Sequence, residues 1–316
     1  MDRPITNSKI LSHIDRVVGD HRPITADIFL DNYCNNDCSY CTYKRWEFDN
    51  DARSMPFDDF VKYATRLREL GVLGFILTGG GEPTIAKDFD KITAWLDEQN
   101  LHYGINTNFN RYSLCHPDYL KVSLDGWDNR SYREKRGTDS YEIVRDNIIR
   151  FASEKSEKTR LGIQLLAKSA DDVYCFYATN RHLPVDYIVI RPVESTNGEY
   201  YLRENEDDTA EICRVIKKLQ DYDNRVIMNY KWHMLDLHFG ECVGQWSQIA
   251  VNEIGEVMYC CHKPYQIIGH IMDDDILEKK ASAVTDMGLC DIPCRLSSVN
   301  KTLLEISTSQ FNSEFL

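Results

Sequence analysis

From about residue 24 to residue 230, short runs of β-forming residues alternate with stretches of helical periodicity. No other feature constrains the fold as strongly. A repeated strand–helix pattern implies parallel strands joined by helical crossovers. Ile24 to Leu30 reads as a first strand, Val72 to Leu77 as a second, and Leu101 to Asn106 as a third. Leu120 to Leu124, Leu161 to Leu166 and Tyr187 to Ile190 follow. Residues 56 to 70 place Phe57, Phe60, Val61, Ala64 and Leu67 on one helical face, with Pro56 at the start and Gly71 just past the end. Further helices are expected over residues 88–99, 140–153, 171–181 and 206–220. Six such units suit an α/β fold of the partial (β/α)6, TIM-like barrel type, with its active site at the C-terminal ends of the strands. The chemistry-bearing motifs of this region all follow the end of a predicted strand.

After about residue 235 the pattern changes. Helical periodicity fades, and a hairpin is expected from Gln248 to Val251 and Glu256 to Tyr259 around an Asn252-Glu253-Ile254-Gly255 turn. Cys242, Cys260, Cys261, Cys290 and Cys294 crowd this loop-rich segment, which has little core of its own. A bound metal would supply the missing stability. The expected division is an extension over 1–21, a barrel over 22–234 and a small cysteine-rich domain over 235–316.

The chain has 316 residues, 11 cysteines and a formal net charge of −13. The acidic balance disfavours a nucleic-acid partner. The start, Met1 to Asn7, shows neither the basic region nor the apolar run of a signal peptide, and no stretch approaches the roughly 20 apolar residues that span a bilayer. A cytoplasmic protein without a membrane partner is expected. Disulfides are disfavoured there, so clustered cysteines point to metal or catalysis.

Cys34, Cys38 and Cys41 form C-x3-C-x2-C after the first strand. Three thiolates this close can bind three corners of an iron–sulfur cube and leave the fourth iron open. A zinc knuckle completed by His or Asp is the alternative from spacing alone. Thr78-Gly79-Gly80-Gly81-Glu82-Pro83 follows the second strand. Successive glycines permit close backbone approach, and Glu82 could accept hydrogen bonds from an ammonium group. A plain tight turn is the alternative, and no Gly-Lys-Ser/Thr follows to make a P-loop. Asn106-Thr107-Asn108 and Ser123-Leu124-Asp125-Gly126 end the third and fourth strands. Gln164 and Arg191 end the fifth and sixth, where substrate contact, ribose contact or a structural role are all open.

Together these residues resemble the radical S-adenosylmethionine superfamily, whose signature is C-x3-C-x2-C in the loop after the first barrel strand. The resemblance covers roughly residues 22 to 230 and continues past them. It implies that Cys34, Cys38 and Cys41 bind a [4Fe–4S] cluster and that Tyr40 packs near the adenine of S-adenosylmethionine. Gly80, Gly81, Glu82 and Pro83 match a GGEP motif that contacts the methionyl amino group. Asn106, Asn108 and Ser123 become candidate cofactor contacts. Tyr132-Arg133-Glu134-Lys135-Arg136-Gly137 resembles an Arg-Gly pair whose guanidinium binds the methionyl carboxylate, and Arg136 is the better match than Arg133.

Cys242-x12-Gly255-x4-Cys260 and the Cys290/Cys294 pair resemble the SPASM/twitch extension of radical enzymes, in which later cysteines hold auxiliary clusters. The shorter twitch form, with one four-cysteine [4Fe–4S] cluster, fits the count. The last pair departs from the pattern, being C-x3-C where C-x2-C is more usual. Cys261 competes with Cys260, and a structural zinc site held by four cysteines is the alternative. The resemblance implies reductive cleavage of the cofactor, hydrogen abstraction by a 5′-deoxyadenosyl radical, and a one-electron donor such as flavodoxin or ferredoxin. The reaction is an oxidation or rearrangement of a small or locally recognised substrate. The alternatives are a radical isomerase or epimerase acting on a peptide residue or on a modified nucleotide or DNA base, and a non-catalytic iron–sulfur or zinc scaffold.

Overall fold

The computed structural model describes residues 9–41, 43, 52–193, 206–233, 239–287, 290, 294 and 296–308. Among them, ten strands form one sheet in the order β10-β9-β8-β1-β2-β3-β4-β5-β6-β7. The central strands are β1 (Thr25–Phe29), β2 (Gly74–Thr78), β3 (His102–Thr107), β4 (Tyr119–Ser123), β5 (Arg160–Ala167), β6 (Tyr187–Pro192) and β7 (Val226–Met228). Each pairs in parallel with the next. Sequential parallel pairing is the topology of a partial barrel, as the strand–helix alternation implies.

The crossovers are α1 (Phe57–Glu69), α2 (Phe89–Glu98), α3 (Asn129–Arg136), α4 (Tyr141–Glu154), α5 (Ala170–Asn180) and α6 (Glu206–Tyr222). Amphipathic spacing explains them. On α1 the buried stripe is Phe60, Tyr63, Ala64 and Leu67, at intervals of three and four. On α4 it is Tyr141, Val144, Ile148 and Phe151. These stripes pack on the outward residues of the strands, including Ala26 and Ile28 of β1 and Leu161, Ile163 and Leu165 of β5. The alternate strand residues face inward and are largely polar, among them Asp27, Asn106, Lys121, Ser123 and Gln164. Those five line the barrel cavity. A barrel with a polar interior is built to hold a ligand rather than to fill itself with side chains.

Helix α3 was not foreseen, for a physical reason. Its sequence, NRSYREKR, offers no apolar stripe. Its ends hold it instead. Asp128 and Ser131 form a capping box, with Ser131 N–H donating to Asp128 Oδ1 at 2.7 Å and Asp128 N–H to Ser131 Oγ at 3.0 Å. Gly137 closes the other end in the left-handed region, at φ 76°. Strand β7, three residues long, also extends the sheet beyond the six expected strands.

The C-terminal part joins the barrel sheet. Strand β8 (Gln248–Val251) pairs in parallel with β1, from Thr25↔Gln248 to Ile28↔Val251. Strand β9 (Glu256–Met258) returns antiparallel and β10 (Ile267–His270) adds an outer strand. Two further helices, α7 (Ile276–Ser282) and α8 (Ser297–Thr308), follow where periodicity gave no expectation. A small second core joins Ile10 and Val17 to Val243, Leu296, Val299 and Leu303, so the first and last described segments pack together. No helix among the described residues is long and apolar enough to cross a membrane.

Candidate functional site

Four loops converge where the strands end. The first is the cysteine loop after β1. Gly81 N–H donates to Asp31 O and Glu82 N–H to Tyr33 O, both at 2.8 Å, which binds the glycine run after β2 to the chain just before Cys34. A Cβ on Gly81 would lie 1.9 Å from Tyr33 O, so this glycine is required by the meeting of two backbones. The far side of the cysteine loop rests on α3. Asp37 N–H donates to Arg136 O at 3.0 Å and Ser39 N–H to Lys135 O at 3.2 Å. The loop thus satisfies carbonyls that a helix C-terminus leaves open. A Cβ on Gly137 would lie 2.4 Å from Asp37 O, so the Gly of the Arg-Gly pair is fixed by this contact.

The third strand end buttresses the first two. Glu82 is buried, and Oε1 accepts from Thr84 N–H at 3.1 Å, Thr84 Oγ1 at 2.7 Å and Thr107 Oγ1 at 2.5 Å. Oε2 accepts from Asn108 N–H at 2.7 Å. Burial pushes the Glu82 carboxyl above its ordinary range, against these donors. The side chain expected to meet an ammonium group is thus buried and hydrogen-bonded, and it clamps the glycine loop to β3. Asn108 Nδ2 donates to Asn35 Oδ1 at 2.7 Å and approaches Cys34 Sγ at 3.8 Å. Asn36 N–H also donates to that sulfur, at 3.4 Å.

These elements enclose a cavity of about 760 Å³ lined by Cys34, Cys38, Cys41, Gly79 to Glu82, Asn106, Asn108, Ser123 and Arg136. All the predicted cofactor residues of the barrel except Tyr40 face it. Tyr40 instead lines a second cavity of about 480 Å³, deeper in the barrel, which shares Cys38, Cys41, Asn106, Ser123 and Arg136 with the first. Asn106 Oδ1 is buried with no hydrogen-bond partner among the described residues. An orphaned acceptor in a cavity wall is the mark of a ligand position. Arg136 Nη1 lies 3.3 Å from Asp125 Oδ2, both groups nearly sealed from solvent, and Arg136 Nε is likewise buried without a hydrogen bond. Asp125 is itself held, its backbone at φ 52° and Oδ1 accepting from Leu166 N–H at 2.6 Å. Arg133, the less favoured of the two in the sequence, pairs with Asp139 on the surface.

Cys34, Cys38 and Cys41 line one cavity, but no group of three or more His, Cys, Asp or Glu among the described residues is drawn together closely enough to hold a single metal ion. Burial pushes Cys34 up to about 12 and raises Cys38, which Arg136 partly offsets. A bound cation reverses this by displacing the protons. Three thiols, N–H donors to sulfur and an adjoining cavity with an orphaned acceptor fit an iron–sulfur cluster with a ligand beside it.

A second thiol group lies in the C-terminal part. Cys242, Cys260, Cys290 and Cys294 line one small cavity of about 60 Å³ with Tyr259 and Lys263. The four come from three separate stretches of chain. Burial pushes Cys242 up to about 12 and raises Cys260 well above its ordinary value. Lys280, buried nearby with Nζ bonded to Gln245 O and Oε1, is lowered to about 7 by desolvation. Cys260 and its neighbour Cys261 part company here. Cys260 faces the four-thiol cavity, while Cys261 lines the barrel cavity beside His262. The remaining cysteines, Cys115, Cys175 and Cys213, line neither.

Residues 28–166 match the Radical SAM superfamily model. A protein of Methanocaldococcus jannaschii named as a glycyl-radical enzyme activating enzyme is 28% identical over 142 residues, 43% of this chain and 54% of that one. GTP 3′,8-cyclase of Psychromonas ingrahamii is 21% identical over 184 residues, 54% of each chain. The matches thus span about half the length of these relatives. Among solved structures, Streptococcus suis SuiB bound to precursor peptide SuiA aligns with TM-score 0.63 at 15% identity, covering 89% of this chain and 71% of SuiB. Native anSMEcpe with bound AdoMet aligns with TM-score 0.61 at 19% identity, covering 85% and 83%. These two likenesses show the fold.

Proposed function

We propose, from the premise that the chain belongs to the radical SAM superfamily, that it cleaves S-adenosylmethionine reductively and uses the radical to take hydrogen from a small or locally recognised substrate. One observation carries the reading: the three cysteines after β1 share a cavity with the ends of β2, β3 and β4 and with Arg136. Cys34, Cys38 and Cys41 would hold a [4Fe–4S] cluster. The backbone of Gly80 and Gly81, with Asn106, Ser123 and Arg136, would receive the cofactor. When bound, cluster and cofactor supply the one-electron cleavage and the 5′-deoxyadenosyl radical.

The chain's own work is positioning. Glu82 holds the glycine loop, and Asn108 holds the cysteine loop. Asp125 aims the Arg136 guanidinium, whose remaining donors can fork onto a carboxylate. Tyr40, beside Asp125, lines the deeper cavity, where the adenine and the substrate would meet. Cys242, Cys260, Cys290 and Cys294 would hold a second cluster in a twitch-like segment over 235–316, appended to a barrel over 22–234. A flavodoxin or ferredoxin would supply the electron.

Iron and sulfide analysis after anaerobic reconstitution tests the two-cluster reading. Two [4Fe–4S] clusters require about eight irons per chain. About four irons would remove the second cluster, and zinc retained at Cys242 through purification would replace it. A second reaction class has one specific support, the placement of Cys261 in the barrel cavity. In an isomerase this thiol would return a hydrogen atom to the far face of the substrate radical, and the thiyl left behind would need one electron and one proton. Solvent deuterium appearing in product from wild type but not from Cys261→Ala would support it. Product without solvent deuterium would exclude it. The precursor peptide in the SuiB structure keeps a peptide residue among the candidate substrates.

A further inference from the structure

A lysine is buried beside the second thiol group with only uncharged oxygens to receive it. Lys280, on α7, is 1% exposed. Its Nζ donates to Gln245 O and to Gln245 Oε1, and Gln245 Nε2 donates back to Lys280 O at 3.0 Å. Desolvation works against its charge. The groups that favour the charge are the thiols of Cys242 and Cys260, with no carboxylate among the described residues. Buried charges in folded proteins are paired with an opposite charge or sit by a metal centre.

Gln245 ties this lysine to the thiols. It follows Cys242 by three residues, is itself buried, and its N–H approaches the Cys242 sulfur. Cys242, Gln245 and Tyr259 line a cavity of about 160 Å³ together with Ala281 to Thr285, the residues just after Lys280. Cys242 and Tyr259 also line the four-thiol cavity, so the two spaces are neighbours. The only described carboxylate on the 160 Å³ cavity is Glu241, which is exposed and forms no ion pair with Lys280. Lys263, also buried, lines the four-thiol cavity itself, with Nζ on Thr285 Oγ1 at 2.9 Å and on Asp286 O.

We propose that Lys280 is the counter-ion of the second metal centre, a buried ammonium that offsets the negative charge of the cysteine-bound cluster and holds its reduction potential up. The inference rests on the reading of Cys242, Cys260, Cys290 and Cys294 as one centre. Four thiolates on a doubly positive cluster core leave two net negative charges, and reduction adds a third. Net charge and surrounding groups tune a cluster's potential, so a fixed cation nearby favours the added electron. Lys263 would add to the same field. A raised potential suits a centre that takes an electron rather than one that supplies it. Lys280 is thus a positioning residue in charge rather than in contact, and its effect is read on the cluster.

The test is a redox titration of the anaerobically reconstituted full chain, followed by electron paramagnetic resonance. The signal missing from Cys290→Ala belongs to the second cluster, and the first cluster's signal is the internal control. Lys280→Met should make reduction of the second cluster at least ~10-fold less favourable, a fall in potential of about 59 mV or more for one electron, and leave the first cluster unchanged. Lys280→Arg keeps the charge and should stay near wild type. Iron and zinc are measured on the same samples. Loading of about four irons by Lys280→Met against about eight by Lys280→Arg would support the proposal at the level of assembly. An unchanged potential in fully loaded Lys280→Met, or equal shifts or losses in the two variants, would overturn it. Wild type with about four irons and retained zinc would sink the cluster reading alone. Zinc retention against a chelator then replaces the potential: Lys280→Met should hold zinc at least ~10-fold more weakly than wild type and Lys280→Arg, and equal retention in all three would overturn the counter-ion. Wild type with no metal at the second site would sink both.

Discussion

Replacing Gly137 by alanine should disturb the cysteine loop from outside it. The position has φ 76°, and leaving glycine in the left-handed region costs roughly 1–2 kcal/mol. The new Cβ would meet Asp37 O at 2.4 Å, Asp37 C at 2.7 Å and Asp37 Cβ at 2.8 Å. Two of these are backbone atoms, so the loop or the helix end must move. The bonds at risk are Asp37 N–H to Arg136 O and Ser39 N–H to Lys135 O. Each contributes about 0.5–1.5 kcal/mol. The total is then about 2–5 kcal/mol, or a fall in melting temperature of roughly 4–10 °C in a chain of this size. The displaced segment runs from Asp37 to Ser39 around Cys38, so iron uptake at the first site should fall as well. The assay is thermal melting with iron analysis on the Cys290→Ala background, where only the first cluster should remain. Gly240→Ala is the control, since a Cβ there meets nothing within 4 Å. A Gly137→Ala protein with the control's melting temperature and iron content would refute the claim that this glycine holds the loop.

Other outcomes follow from the same geometry. Cys290→Ala should lower iron from about eight to about four per chain while keeping cofactor cleavage, read by iron analysis and product chromatography. Glu82→Gln places an amide NH2 among four donors, and should cost ~1–3 kcal/mol in chemical denaturation and weaken S-adenosylmethionine binding through the loosened glycine loop. Intact affinity with reduced stability would confine Glu82 to the fold.

Much of this architecture was legible in the sequence because it rests on local patterns. The strand read at Tyr187 to Ile190 runs Tyr187–Pro192, and the helix read over 56–70 runs Phe57–Glu69. Apolar periodicity and flanking Pro or Gly suffice for such elements. Helix α3 escaped because capping and loop contacts hold it, with Tyr132 as its one large buried apolar side chain. The pairing of β8 with β1 was also hidden, since some 220 residues of chain separate the partners and nothing local encodes the meeting. In the site, motif spacing located the cysteine, glycine and Arg-Gly loops. Spacing could not show that Glu82 accepts hydrogen bonds from Thr84, Thr107 and Asn108. Nor could it show that Cys260 and Cys261 line different cavities, or that Lys231 and Arg191 line the same one. Direction of a side chain is a tertiary property. One available signal was missed: Lys121 sits two residues before Ser123 on a strand, so the period of two already placed it on the same face.

The central claim is tested most directly by incubating the anaerobically reconstituted protein with dithionite and S-adenosylmethionine and measuring 5′-deoxyadenosine. Wild type should form it, and Cys38→Ala should form none. Absence of 5′-deoxyadenosine from wild type carrying its full iron complement, or undiminished formation by Cys38→Ala, would contradict the account.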